Sequence, residues 1–112
     1  MLYKDIGKRA SGKSTRLLQA AITNHANIAV YDASAVEIFT VIAYDVLHIP
    51  FNQIKHTYYG VIICDVLVAP LVYYFNPKNM HNGKKLYIDE LDLCLTRVLP
   101  LAGYTLSEEE KE

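Results

Sequence analysis

Short apolar runs alternate with stretches of helical spacing along the whole chain, and this alternation is what an α/β domain with a parallel sheet requires. Residues 2 to 6, "LYKDI", predict a first strand that is unusually polar because it carries Lys4 and Asp5. From Ser14 to Asn24 the residues Leu17, Leu18, Ala21 and Ile22 recur on one helical face, which predicts an amphipathic helix. "NIAVYD", ending at Asp32, predicts a second strand. Ser34 and Glu37 then have the spacing of a capping box that starts a helix, and the apolar run continues to His48 until Pro50 ends it.

Residues 51 to 83 are ambiguous, because "GVIICDV" reads as a buried strand while "DVLVAPLVYYF" fits either its continuation or a packed helix broken at Pro70. "NPKNMHNGKK" is a turn or loop by its Asn, Pro and Gly content. Beyond it the pattern predicts a strand at "KLYID", a short helix at "ELDLCLTRVL" stopped by Pro100, and a last strand at "AGYTL". The expected fold is a small three-layer α/β sandwich, with a mainly parallel sheet of about four to five strands. Residues 1–107 form one domain and 108–112 an acidic tail, since a chain of 112 residues has no room for a second core.

Composition adds little to this picture and excludes several alternatives. A hydrophobic share of 52% suffices for a buried core, and a net charge of -1 offers no global attraction to nucleic acid. The charges are unevenly placed: Lys4, Lys8, Arg9, Lys13 and Arg16 crowd the first sixteen residues, a local positive field suited to a polyphosphate. Cys64 and Cys94 lie in apolar runs without C-x-x-C spacing and are expected to be reduced core residues of a cytoplasmic protein. The four histidines lack metal-ligand spacing. The N-terminus has no apolar segment of signal-peptide type. "YYGVIICDVLVAPLVYYF", residues 58 to 75, has the length and aromatic ends of a membrane span, but Asp65 and Pro70 argue against one.

The chemistry is carried by "GKRASGKST", residues 7 to 15, which has the G-x-x-x-x-G-K-[ST] spacing of a phosphate-binding loop. At average composition such a match arises by accident in about 0.4% of chains this long. Gly7 and Gly12 let the backbone curl so that its N–H groups, from Lys8, Arg9, Ala10 and Ser11 through Lys13, Ser14 and Thr15, face phosphate oxygens. Lys13 would neutralise the outer phosphates, Ser14 would offer a hydroxyl to Mg²⁺, and the helix that follows adds its positive dipole end. Three apolar runs end in an acid, at Asp32, Asp65 and Asp89. Asp89 is the best metal-shell candidate because Glu90, a candidate general base, follows it at the end of the same strand.

"GKRASGKST" together with "LYIDE" resembles the Walker A and Walker B pair of P-loop NTPases, in the division with a catalytic glutamate, and the layout is similar to small phage-encoded ATPase-like proteins. The resemblance implies a minimal P-loop NTPase core that binds ATP or another NTP with Mg²⁺ and hydrolyses it. Carried onto this chain, it implies that Lys13 contacts the β- and γ-phosphates, Ser14 and Asp89 serve the metal, and Glu90 polarises the attacking water. Thr105 or Ser107 would fall near the polar sensor position. The polar first strand, the lack of an obvious arginine finger apart from Arg97 or Arg9, and the short chain point to slow hydrolysis. Such a protein acts through a partner or by self-assembly, in the cytoplasm, or in the host cytoplasm if phage-encoded. The competing expectations are a module that binds nucleotide without turnover and a nucleoside or nucleotide kinase. A nucleic-acid partner would rest on the basic N-terminal cluster alone.

Overall fold

A central strand buried on both faces organises the molecule. The computed structural model describes residues 5, 12–79, 84–100, 102–103 and 105. Within them lie helix α1 (Lys13–Asn24), strand β1 (Asn27–Val30), helix α2 (Ala33–Val41), strands β2 (Ile54–His56), β3 (Val61–Ile63), β4 (Val66–Pro70) and β5 (Leu86–Ile88), and helix α3 (Leu91–Val98). A π-helical turn over Ile42–Val46 extends α2, and short 3-10 segments cover Phe51–Gln53, Leu71–Phe75 and Pro77–Asn79. The five strands form one sheet in the order β2-β3-β4-β1-β5.

Every residue of β1 is buried, as a strand covered on both faces must be, and this explains why "NIAV" shows no polar alternation. Its two neighbours, β4 and β5, both run parallel to it. On one face, Ile28, Val30, Val61, Ile63, Val66 and Val68 pack under Leu17, Leu18 and Ala21 of α1 and Val36 and Phe39 of α2. On the other face Ala29 and Ala69, which are register partners, leave room for Leu71, Tyr74 and Cys94 to approach. Tyr74 is buried there with its hydroxyl 3.0 Å from the Ile28 carbonyl and 2.9 Å from that of Leu67, so the phenol ties β1 to β4. Three layers result, and the α/β reading of the sequence holds with five strands.

The sheet is evenly mixed rather than mainly parallel, because β2-β3 and β3-β4 pair antiparallel. The reason lies in the ambiguous region: residues 61–70 fold as a hairpin whose two-residue connection is Cys64–Asp65, and residues 71–75 turn into a 3-10 segment after Pro70. The chain therefore neither continues the first strand nor forms a packed helix: it reverses into a second strand that ends at Pro70, and a short 3-10 segment follows. Cys64 adopts φ 57 in that turn, as primed hairpin turns require of their first central residue, and it is exposed. This corrects the expectation of two core cysteines. Cys94 is buried, donates its Sγ–H to the Asp89 carbonyl at 3.2 Å, and has its thiol pushed up to about 12 by burial and by the nearby Asp89 charge. A thiol reagent at pH 8 should therefore modify one cysteine rapidly and the second only in denaturant, with Cys64→Ser abolishing the rapid phase.

Two further details differ from the sequence reading. Asp32, not Ser34, is the N-cap of α2: its carboxylate accepts from the Ala35 amide at 3.1 Å and from the Ser34 hydroxyl at 2.6 Å. The helix starts two residues earlier than a Ser34 cap would place it, because Asp32 reaches the orphan Ala35 amide while carrying the charge that the helix dipole favours. The predicted first strand lies outside the described residues except for Asp5, which is in no strand and ion-pairs with Arg16 at 2.6 Å. Of the predicted last strand, residues 102, 103 and 105 are described and are in no strand. No helix among the described residues is long and apolar enough to cross a membrane.

Candidate functional site

The connection from α1 to β1 is only His25 and Ala26, so the helix reverses directly into the strand. Twelve helical residues span about 18 Å and four strand residues about 13 Å. The start of α1 therefore returns to the C-terminal end of β1. Because β5 runs parallel beside β1, Asp89 and Glu90, which follow it, emerge at that same end. Asp65 precedes β4 and so lies at the opposite end, where it faces His25 at 2.7 Å and Lys84 at 3.7 Å. Partial desolvation pulls its carboxyl upward, but the His25 hydrogen bond and the Lys84 charge outweigh this and hold it below its ordinary value. Topology thus removes Asp65 from the candidate acids.

Gly12 caps α1 at φ 84, a left-handed conformation in which a side chain is strained, so the second loop glycine is required by the backbone itself. No described side chain caps this helix. Across from it, the Ser14 hydroxyl is 3.2 and 3.3 Å from the two carboxylate oxygens of Asp89, and Lys13 Nζ lies 3.5 Å from Glu90 Oε1. The four side chains that the loop and the "DE" pair contribute, separated by some 75 positions in the chain, thus meet at one spot. Asp89 is only 8% exposed. Burial and the neighbouring Glu90 charge push its carboxyl above the ordinary range, against the opposing pull of Ser14 and Lys13.

Glu90 occupies φ 54 as the residue preceding α3. For a residue with a side chain this costs about 1–2 kcal/mol, and strain of that kind concentrates where a side chain must be aimed. Here it turns the Glu90 carboxylate toward Lys13 while the Asp89 amide still bonds the Ala29 carbonyl at 2.9 Å.

These groups line a cleft of about 360 Å³ whose walls are Gly12, Lys13, Ser14, Thr15, Tyr31, Ile38, Ile42, Asp89 and Glu90. No family model, curated protein or solved structure matches this chain. The functional reading therefore rests on the geometry of this cleft. The loop residues Gly7, Lys8, Arg9, Ala10 and Ser11 fall outside the described residues, as does Ser107, and Thr105 does not line the cleft. Asp32 is not in the cleft either: it caps α2 and pairs with Arg97 at 3.2 Å, and the hydrogen bond from Ser34 holds its carboxyl below the ordinary value. Tyr31, Ile38 and Ile42 were not singled out from the sequence. The spacing of 38 and 42, one helical turn, was the available signal, but it did not say which face of α2 the turn would present.

Among the described residues no group of three or more His, Cys, Asp or Glu side chains could hold a metal ion. A hydroxyl and one buried carboxylate remain, which is a donor set that fits Mg²⁺ only when a ligand's phosphate oxygens and water complete the shell.

Proposed function

We propose that the cleft binds the polyphosphate of a nucleoside triphosphate, ATP by preference of this reading, and hydrolyses it slowly with Mg²⁺ in the manner of a P-loop NTPase. The observation that carries the proposal is the Ser14–Asp89 contact beside the Lys13–Glu90 pair, at the C-terminal end of adjacent parallel strands and against the start of a helix. Ser14 and Asp89 would be the protein oxygens that hold Mg²⁺, which would supply charge neutralisation for the phosphates when bound. Lys13 exchanges Glu90 for a phosphate oxygen when nucleotide enters. Glu90 is thereby released to accept the proton of a water placed against the terminal phosphate.

Slow turnover follows from the same arrangement. Lys13 and Glu90 neutralise one another before ligand arrives, and Arg97 is engaged by Asp32 outside the cleft. A second copy or a protein partner that adds a cation at the cleft mouth would raise the rate, since an arginine supplied in this way is worth about 10³–10⁵ in kcat where it is used.

The test is steady-state ATP hydrolysis by the wild type, Lys13→Ala and Glu90→Gln at several protein concentrations, beside calorimetric binding of Mg–ATP. Glu90→Gln should bind as the wild type does and turn over about 100-fold more slowly or worse. Lys13→Ala should lose measurable binding. Equal rates in all three proteins would sink the hydrolase reading. The Lys13–Glu90 pair equally supports a module that holds nucleotide without cleaving it, and binding without turnover in the wild type selects that reading.

A further inference from the structure

Phosphates use only one side of the cleft. Besides the Lys13, Ser14, Asp89 and Glu90 cluster, the cleft is lined by the apolar surface of Tyr31, Ile38 and Ile42, and nothing in triphosphate recognition needs it. Ile38 is 50% exposed although its helix neighbours Val36 and Phe39 are buried in the core, so the wall presents apolar surface to the cleft. We infer that this wall receives a nucleobase, its planar ring lying against Tyr31 and Ile38 while phosphates engage Lys13 and the start of α1. The inference deepens the proposed nucleotide site and rests on it.

Three features of the chain support a ring at this place. Tyr31 and Glu90 each lie two residues beyond the register pair Ala29–Ile88, so the wall and the acidic pair stand on adjacent strand ends. Adjacent strands are about 4.8 Å apart, close enough for one mononucleotide to reach both. The Tyr31 ring is also held in advance: the Arg97 guanidinium lies over it at 6.0 Å from the ring centre, Arg97 is anchored by Asp32, and Asp32 is anchored as the cap of α2. A ring fixed before binding loses little freedom when a base meets it, which is how preorganisation contributes affinity. Finally, the cleft joins a charged corner to an aromatic and aliphatic wall in about 360 Å³, within the volume range of small-molecule sites.

The base belongs either to the nucleotide whose phosphates occupy the loop or to a second molecule beside it, and calorimetry distinguishes the two. The probes are Mg–ATP, Mg–tripolyphosphate, and adenosine titrated into protein saturated with tripolyphosphate. If the base is the nucleotide's own, Mg–ATP should bind about 10-fold or more tightly than Mg–tripolyphosphate, and Tyr31→Ala or Ile38→Ala should erase that advantage without changing tripolyphosphate affinity. If it belongs to a second molecule, adenosine should bind the saturated protein and fail to bind the same variants. Tyr31→Phe should behave as the wild type in both arms. Ile38→Ala guards against misfolding, because Ile38 is half exposed and outside the core. Equal affinity for ATP and tripolyphosphate with no adenosine binding overturns the inference and leaves the phosphate site standing. Binding of none of the three probes removes the phosphate site, and the inference with it.

Discussion

Gly60→Ala should unfold this protein or lower its melting temperature by about 10 °C or more, the largest effect expected of any substitution outside the cleft. Gly60 ends the Thr57–Gly60 turn between β2 and β3, where the Thr57 amide and hydroxyl both bond its carbonyl, at 2.8 and 2.9 Å. A Cβ built on it would lie 2.1 Å from the Val68 carbonyl oxygen and 3.2 Å from the Ala69 Cα. Those atoms are backbone of β4, which cannot swing aside as a side chain could. Relief requires moving β3 away from β4 and so breaking the ladder that holds Val61 against Val68. A cost of about 3 kcal/mol is reasonable for overpacking of this kind, and it is a large fraction of the 5–15 kcal/mol that typically separates folded from unfolded. Gly103→Ala is the control: nothing lies within 4 Å of a Cβ there, and its melting curve should match the wild type.

Asp89→Asn should stabilise the ligand-free protein while weakening Mg–ATP binding about 100-fold, an opposition that a merely structural acid would not produce. The carboxyl is raised in the folded state, first by burial and then by Glu90. A carboxyl whose folded value exceeds its unfolded value leaves the protein most stable below the unfolded value near 4, and stability falls as pH rises through and above it. The ionised carboxylate carries that penalty as pH rises, and asparagine removes it while its side-chain oxygen can still accept from Ser14. The variant should therefore melt at a higher temperature than the wild type at pH 7, a difference that shrinks as pH is lowered toward 4. Scanning calorimetry across pH checks the first half and titration calorimetry the second. A lower melting temperature with unchanged binding would mean that Asp89 only props up the start of α3.

That burial raises Asp89 and strain turns Glu90 fits a site held at some cost to the fold. The tight spot at Gly60 differs in kind, since it serves the hairpin alone.

How far the sequence reached can be judged from particular residues. The glycine before α1 and the "DE" strand end were legible because each is a local signal: a glycine followed by an amphipathic stretch, and an apolar run stopped by acids. Their meeting was legible only as an expectation. It becomes a contact because a two-residue connection returns α1 to the end of β1, and because β5 pairs parallel with β1 rather than at the far edge. Asp32 and Asp65 carry the same local signal as Asp89, an apolar run ending in an acid. Strand direction sets Asp65 apart, at the opposite end of the sheet, whereas Asp32 emerges at the same end as Asp89 and is set apart by capping α2 and pairing with Arg97.

The sequence by itself therefore determined the α/β class and the chemical types available: one G-x-x-x-x-G-K-[ST] stretch before an amphipathic helix and three apolar runs ending in an acid. Tertiary structure alone decided that residues 61–70 turn back as a hairpin and bring Cys64 to the surface, that Glu90 takes a left-handed conformation, and that Tyr31 and Ile38 line one cleft with the acidic pair. The physical reason is that hydrophobic periodicity encodes which face of an element is buried, whereas strand order and direction depend on contacts between segments far apart in the chain, which no local pattern records.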